Sequence, residues 1–201
     1  MITEKKKFAI SAALVLLALF CLILFPKQDR WWCFLAMVMS FAGDVLLLNI
    51  PAIRRRIRHY FPLGALFFGI AHICYAKAYM TLLKAVDVSA TANPGTVSAV
   101  CIIAVLLGYL VISGIKRKKY SYLPIVFFYI LCIGTAFVTI LTYACAVEIS
   151  SLRGMGSMLG AIAFLLSDFC LGASRIAGVK RLGRWIWVFY PVGQMLLIVC
   201  G

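Results

Sequence analysis

Two aspartates stand inside long apolar stretches and are the best candidates for chemistry in this sequence. Asp44 lies in SFAGDVLLL and Asp168 in FLLSDFCLG, and only these two of the six acidic residues fall within such runs. A carboxylate in hydrocarbon costs about 2.5–3.5 kcal/mol on insertion scales, so it persists where it faces a protein interior or a wet cavity. If the two face each other, one keeps its proton while the other is ionised, which is the division that acid–base chemistry needs. The alternative is that each carboxylate only caps or hydrogen-bonds a neighbouring helix.

The composition indicates that this pair lies in a membrane protein. The chain has 201 residues, of which 65% are hydrophobic, whereas globular domains are about 45–50% apolar. We expect an all-α, polytopic transmembrane helix bundle that forms one domain over residues 1–201, because seven runs reach or approach the roughly 20 residues that cross a bilayer. The predicted spans are Phe8–Phe25, Trp31–Asn49, Phe61–Leu83, Thr96–Ile115, Tyr122–Val147, Gly154–Gly172 and Trp185–Cys200.

Four basic clusters between the apolar runs predict the orientation of the chain. With seven spans all four lie on one side, which then holds fifteen positive residues against four on the other. The positive-inside rule therefore places the N-terminus in the cytoplasm. An eight-span alternative, made by splitting Tyr122–Val147, would move the last cluster outside and is disfavoured. Anchoring to anionic headgroups also accounts for the net charge of +14 without a nucleic-acid partner.

This topology gives the two aspartates a common depth. Asp44 and Asp168 both lie near the cytoplasmic ends of their spans, roughly 6–8 Å below the boundary. We expect a polar cavity that opens towards the cytoplasmic leaflet. Four further polar residues reach the same half of the bilayer and share helical faces in pairs. They are His72 with Tyr75, and Tyr190 with Gln194. A lone membrane histidine is equally well explained by a hydrogen bond between helices, and tyrosine is ordinary near a membrane interface.

Other motifs indicate packing, and none indicates a cofactor. The eight cysteines lie in or beside apolar runs without a CxxC pair, so we interpret them as reduced packing residues. One histidine and two carboxylates lack the ligand spacing of a zinc site, and we expect neither a metal nor a cofactor. Gly156 and Gly160 form a GxxxG motif, which predicts close packing of their helix against a neighbour.

The ordered set of polar motifs resembles a known family. AGDVLLL, FFGIAHICYAKAY, GAIAFLLSDFCLG and the closing YPVGQ follow one another from about Trp31 to the C-terminus. The chain is in this respect similar to the YhhN-like membrane proteins, the lysoplasmalogenase family. Its members share a Gly-Asp, a His-x-x-Tyr, a Ser-Asp and a final Gln on successive helices. They usually carry eight helices, and we expect that the first of these is the one missing here.

The resemblance implies a function and a set of site residues. The function would be hydrolysis of the vinyl-ether bond of a lysoplasmalogen, or a related lysolipid, in a bacterial cell membrane. The partners would be a lysophospholipid substrate and membrane lipids. Asp44 and Asp168 would be general acid and base, without an assignment of which is which. Arg54–Arg56 would attract the phosphate headgroup. The residues that orient water or polar lipid atoms would be His72, Tyr75, Tyr190 and Gln194.

Two other classes of function are consistent with the same residues. A proton-coupled transporter of a small molecule or lipid would also need intramembrane acids. Against it, the sequence shows no inverted repeat and no clearly broken pair of helices. A non-catalytic lipid-binding scaffold would bind the ligand without forming a product.

Overall fold

The computed structural model describes residues 3–48, 50–57, 59–87, 123–175 and 178–201, and the regular elements within these ranges are all helical. Six of the described helices are long and apolar enough to cross a membrane. The prediction of an all-α bundle is confirmed, and the composition of these helices indicates an integral membrane protein. The helices are α1 (Glu4–Leu24), α2 (Gln28–Leu47), α3 (Pro51–Arg56), α4 (Tyr60–Ala85), α5 (Leu123–Ala146), α6 (Leu152–Arg175) and α7 (Gly183–Cys200), with a 3₁₀ turn at Lys180–Leu182.

The predicted spans agree with these helices to within a few residues. The largest differences are at the starts of α1 and α2 and at the end of α6, where polar residues extend an apolar run by up to a turn. Two hydroxyl caps explain where α1 and α6 begin: Thr3 accepts a hydrogen bond from the backbone N–H of Lys6, and Ser151 accepts one from that of Gly154. The predicted span Thr96–Ile115 lies outside the described residues. The number of spans and the cytoplasmic N-terminus therefore stay predictions, as does the single domain.

The six long helices form a closed ring. Each packs on the next in the order α1, α2, α4, α5, α6 and α7, and α7 packs back against α1. Small and aromatic residues such as Ala36, Ala78, Tyr79 and Leu197 fill the centre. Large apolar side chains such as Phe20 remain exposed on the outside. An apolar exterior around a buried interior is what a lipid environment requires.

Glycines let neighbouring helices approach closely at two places in the ring. In α6, a Cβ atom added at Gly160 would lie 3.0 Å from Cβ of Leu196 in α7, and one at Gly156 would clash with Cys200. The packing role predicted for the GxxxG motif is confirmed. Between α2 and α4, a Cβ atom at Gly43 would lie 2.8 Å from the ring of Phe68.

Replacing Gly193 tests the contact between α6 and α7. In Gly193→Ala the new Cβ would lie 2.8 Å from the backbone nitrogen of Phe164 and 3.0 Å from the carbonyl oxygen of Gly160. Overpacking costs about 1–3 kcal/mol, which exceeds the gain of up to about 1 kcal/mol that alanine has over glycine in a helix. We therefore expect a lower Tm for the detergent-purified variant.

Gly172→Ala is the matched control, because no atom lies within 4 Å of the Cβ it would add to α6. Its Tm should equal or exceed that of the wild type. If Gly193→Ala proved as stable as Gly172→Ala, the close approach of α6 and α7 would be contradicted.

Candidate active site

A cleft at one end of the ring contains both membrane aspartates. Asp44, three residues before the end of α2, is 7% exposed, and Asp168, in the last third of α6, is 6% exposed. Both line the same cleft, whose empty space, counted together with the solvent at its open side, is about 450 Å³. The two carboxyl groups are close enough to interact electrostatically. Two acids that are 124 positions apart in the sequence thus share one cavity.

Asp44 is held by a hydroxyl group from α1. The Ser11 Oγ donates a hydrogen bond of 2.6 Å to Asp44 Oδ2, and the Ser11 side chain is fully buried. Sequence reasoning missed Ser11. It was detectable, because it is the one hydroxyl residue in α1 and follows Lys7, which also lines the cleft, by four residues on the same helical face.

Asp168 is held by an imidazole from α4. His72 Nε2 lies 2.9 Å from Asp168 Oδ2, and both side chains are buried. The His72 ring packs on Phe164, with 4.6 Å between ring centroids. This contact joins two residues that the sequence predicts to lie in the same half of the bilayer, and their depths stay predictions.

Tyr75 and Gln194 lie behind the cleft and not in its wall. The Tyr75 hydroxyl donates a hydrogen bond to Gln194 Oε1, and Gln194 Nε2 donates one of 3.2 Å to Ser40 Oγ. All three side chains are fully buried. This chain of hydrogen bonds connects α4, α7 and α2, and its geometry is that of a connection between helices. Tyr75 and Gln194 are not among the residues that line the cleft.

Tyr190 lines the cleft and has an unsatisfied hydroxyl group. Its side chain is 3% exposed. Its hydroxyl group lies close enough to the Asp44 carboxyl group to interact with it, but without the geometry of a full hydrogen bond. The ring packs edge-on against Phe164, with 6.0 Å between centroids, and against Trp187, with 5.8 Å. The buried hydroxyl group of Tyr129 stands in the same relation to Asp168, and Tyr129 is not part of the cleft wall.

Charged residues stand at the more exposed edge of the cleft. Lys7 Nζ lies 2.7 Å from Glu4 Oε1 and 5.8 Å from the centroid of the Trp187 ring. Arg175 at the end of α6 donates a hydrogen bond of 3.2 Å to the carbonyl oxygen of Leu47. Of the predicted headgroup residues Arg54–Arg56, Arg55 and Arg56 do not line this cleft, whereas Lys7 and Arg175 do. Attraction of the headgroup by Arg54–Arg56 stays a prediction.

The remaining wall is apolar, so the cleft is amphipathic. Cations lie at its edge, carboxyl groups and hydroxyl groups lie inside, and hydrocarbon side chains lie between them. In the described part of the chain, three or more metal-ligating side chains do not come together. The arrangement can exchange protons with a bound molecule. The apolar wall is made of Leu47, Leu48, Phe68, Leu171, Ile186 and Trp187.

Comparison with known proteins identifies the family. The YhhN family model matches residues 6–200, which is nearly the whole chain. No curated protein matches the sequence, and no solved structure does. The match includes α1, so Ser11 and Lys7 lie within the region that it covers. The chain belongs to the YhhN family.

Proposed function

We propose that this protein is an intramembrane hydrolase of a bacterial cell membrane that cleaves the vinyl-ether bond of a lysoplasmalogen or a related lysolipid. The products are a fatty aldehyde and a glycerophospho-alcohol. The observation that carries the proposal is that Asp44 and Asp168 line one amphipathic cleft. Membership of the YhhN family supports it, because that family is known in general as lysoplasmalogenase-like.

The chemical character of the cleft matches that of a lysolipid. Lys7 and Arg175 at its edge suit a phosphate group, since guanidinium and ammonium groups bind phosphate through charge-assisted hydrogen bonds. The apolar wall suits the first carbons of a hydrocarbon chain. A lipid bound with its headgroup at the edge would bring the ether bond towards the buried carboxyl groups.

Vinyl-ether hydrolysis needs an acid and a base but no nucleophile or cofactor. The acid protonates the double-bond carbon remote from the ether oxygen, which gives an oxocarbenium ion. Water attacks this cation and loses a proton to the base, which gives a hemiacetal. When the hemiacetal collapses, its hydroxyl proton returns to the first carboxylate and the second carboxyl group protonates the departing alcohol. Both carboxyl groups thereby return to their starting states, as in the paired carboxylates of glycosidases.

The hydrogen-bond partners suggest which aspartate has which role. With its proton on Nε2, the His72 imidazole donates a hydrogen bond to Asp168, and such a bond favours the carboxylate. The groups that face Asp44 are the neutral hydroxyl groups of Ser11 and Tyr190, and Asp168 lies within electrostatic reach of it. Two adjacent buried carboxyl groups do not both ionise readily. We therefore assign the proton-donating role to Asp44 and the water-activating role to Asp168.

Removing either carboxyl group should abolish aldehyde release from lysoplasmalogen. We expect Asp44→Asn and Asp168→Asn to lose at least about 100-fold in kcat/KM, the lower end of what a positioned acid or base contributes. Asp29→Asn is the matched control: Asp29 is also a buried carboxylate of α2, but it pairs with Arg30, 3.6 Å away, and does not line the cleft. Full activity of either cleft variant would contradict the proposal.

Deuterium labelling distinguishes the proton donor from the residue that activates water. The reactions are run in D₂O, and the unreacted substrate is recovered. Asp168→Asn should still protonate the double bond reversibly, so unreacted lipid should gain deuterium at the carbon remote from oxygen. Asp44→Asn lacks the proton donor and should leave that carbon unlabelled. The opposite labelling pattern would reverse the assignment. Mass spectrometry of the recovered lipid measures the difference.

Solubilised protein distinguishes hydrolysis from transport. We expect purified protein in detergent to release aldehyde, because the cleft needs no sealed compartment to work. A transporter would instead show flux of lipid or protons in sealed vesicles and no product in detergent. Product analysis by mass spectrometry over a panel of ether and ester lysolipids makes this comparison. Asp168→Asn serves as the inactive control.

A further inference from the structure

We propose that the Tyr190 hydroxyl group binds the free glycerol hydroxyl of the substrate and thereby selects one-chain lipids over two-chain lipids. The inference rests on the proposed function, which it deepens by naming the feature of the substrate that this site recognises. Tyr190 is thus a specificity-determining residue.

The unsatisfied hydroxyl group is the observation from which this follows. Tyr190 is 3% exposed and lines the cleft. Its hydroxyl group lies beside the Asp44 carboxyl group but makes no hydrogen bond of full geometry in the part of the chain that is described. A buried polar group without a partner costs about 1–3 kcal/mol. Such a group is retained where a ligand completes its hydrogen bonds.

The neighbouring polar groups already have partners within the protein. Ser11 binds Asp44, and His72 binds Asp168. Ser167, the other hydroxyl residue of the cleft wall, lies 3.5 Å from the carbonyl oxygen of Ile186, at the limit of a hydrogen bond. Among the uncharged polar side chains that line the cleft, Tyr190 is therefore the one whose geometry calls for a partner from outside the chain.

A free alcohol is the group on a lysolipid that matches this position. A phenol both donates and accepts, as does an alcohol, whereas a phosphate is better served by Lys7 and Arg175 at the edge. In a lysolipid the free hydroxyl lies between the phosphate and the ether carbon. Tyr190 is similarly buried beside Asp44 while the cations stand at the more exposed edge. In a two-chain lipid this oxygen is esterified, so it cannot donate and it carries a second chain.

A pair of non-hydrolysable ligands tests the proposal without turnover. The ligands are a saturated 1-alkyl-ether lysophospholipid and its 2-deoxy analogue, which lacks only the glycerol hydroxyl. Their Kd values for the full-length protein in detergent can be read from the tryptophan fluorescence, because Trp187 lines the cleft. We expect the deoxy analogue to bind the wild type about tenfold more weakly, as the loss of one hydrogen bond predicts. Tyr190→Phe should bind both ligands equally, with the Kd that the wild type has for the deoxy analogue.

Tyr79→Phe is the matched control for loss of a buried hydroxyl. Its hydroxyl group lies 3.2 Å from Ser157 Oγ and away from the cleft wall, so this variant should keep the tenfold discrimination and have a lower Tm. Tyr190→Phe removes only the poorly aligned contact with Asp44, so its Tm should fall less than that of Tyr79→Phe.

Three results would overturn the recognition of the hydroxyl group by Tyr190. They are discrimination that persists in Tyr190→Phe, an equal loss of affinity for both ligands in that variant, and the absence of measurable binding in the wild type. The proposed hydrolysis can fail independently. If the wild type discriminates between the two ligands through Tyr190 but releases no aldehyde from a lysoplasmalogen, the recognition by Tyr190 is supported and the proposed reaction is contradicted.

Discussion

A carboxyl group buried among membrane helices must find its hydrogen-bond partners on other helices, and this requirement organises the bundle. Lipid tails offer no hydrogen bond in their place. Asp44 of α2 is accordingly bound by α1, and Asp168 of α6 is bound by α4. The contact between Tyr75 and Gln194 joins α4 to α7 in the same way. Each of these contacts fixes how far a helix is rotated about its axis, which apolar packing alone does weakly in lipid.

Small residues stand beside two of the polar ones and let a further helix approach closely. Gly43 precedes Asp44 and faces Phe68 of α4, and Gly193 precedes Gln194 and faces the backbone of α6. A Cβ atom at either glycine would lie 2.8 Å from its nearest neighbour, so the helices would have to move apart. Each of these helices thus packs closely on one neighbour while its polar side chain binds another.

The sequence was sufficient for the helices and for the two aspartates, but not for the partners of those aspartates. Apolar runs of bilayer length have few alternatives to a helix, and a carboxylate within such a run is conspicuous. By contrast, a pairing such as His72 with Asp168 depends on which helices are neighbours and on how far each extends. Helix ends were also harder to predict than helix positions, because polar residues at the end of α6 continue the helix. The sequence alone did not show that Lys7 lies at the same cleft as Asp168. Lys7 is on α1, far from Asp168 in the sequence, and only the packing of the helices brings the two to one cleft.

The contact between α1 and α7 determines when the cleft can form during biogenesis. Lys7 and Ser11 lie on α1, whereas Trp187 and Tyr190 lie on α7, which leaves the ribosome after the other described helices. A nascent chain that has inserted only through α6 holds both carboxyl groups but lacks the wall that α7 supplies. The cleft therefore takes its shape only when α7 docks onto α1.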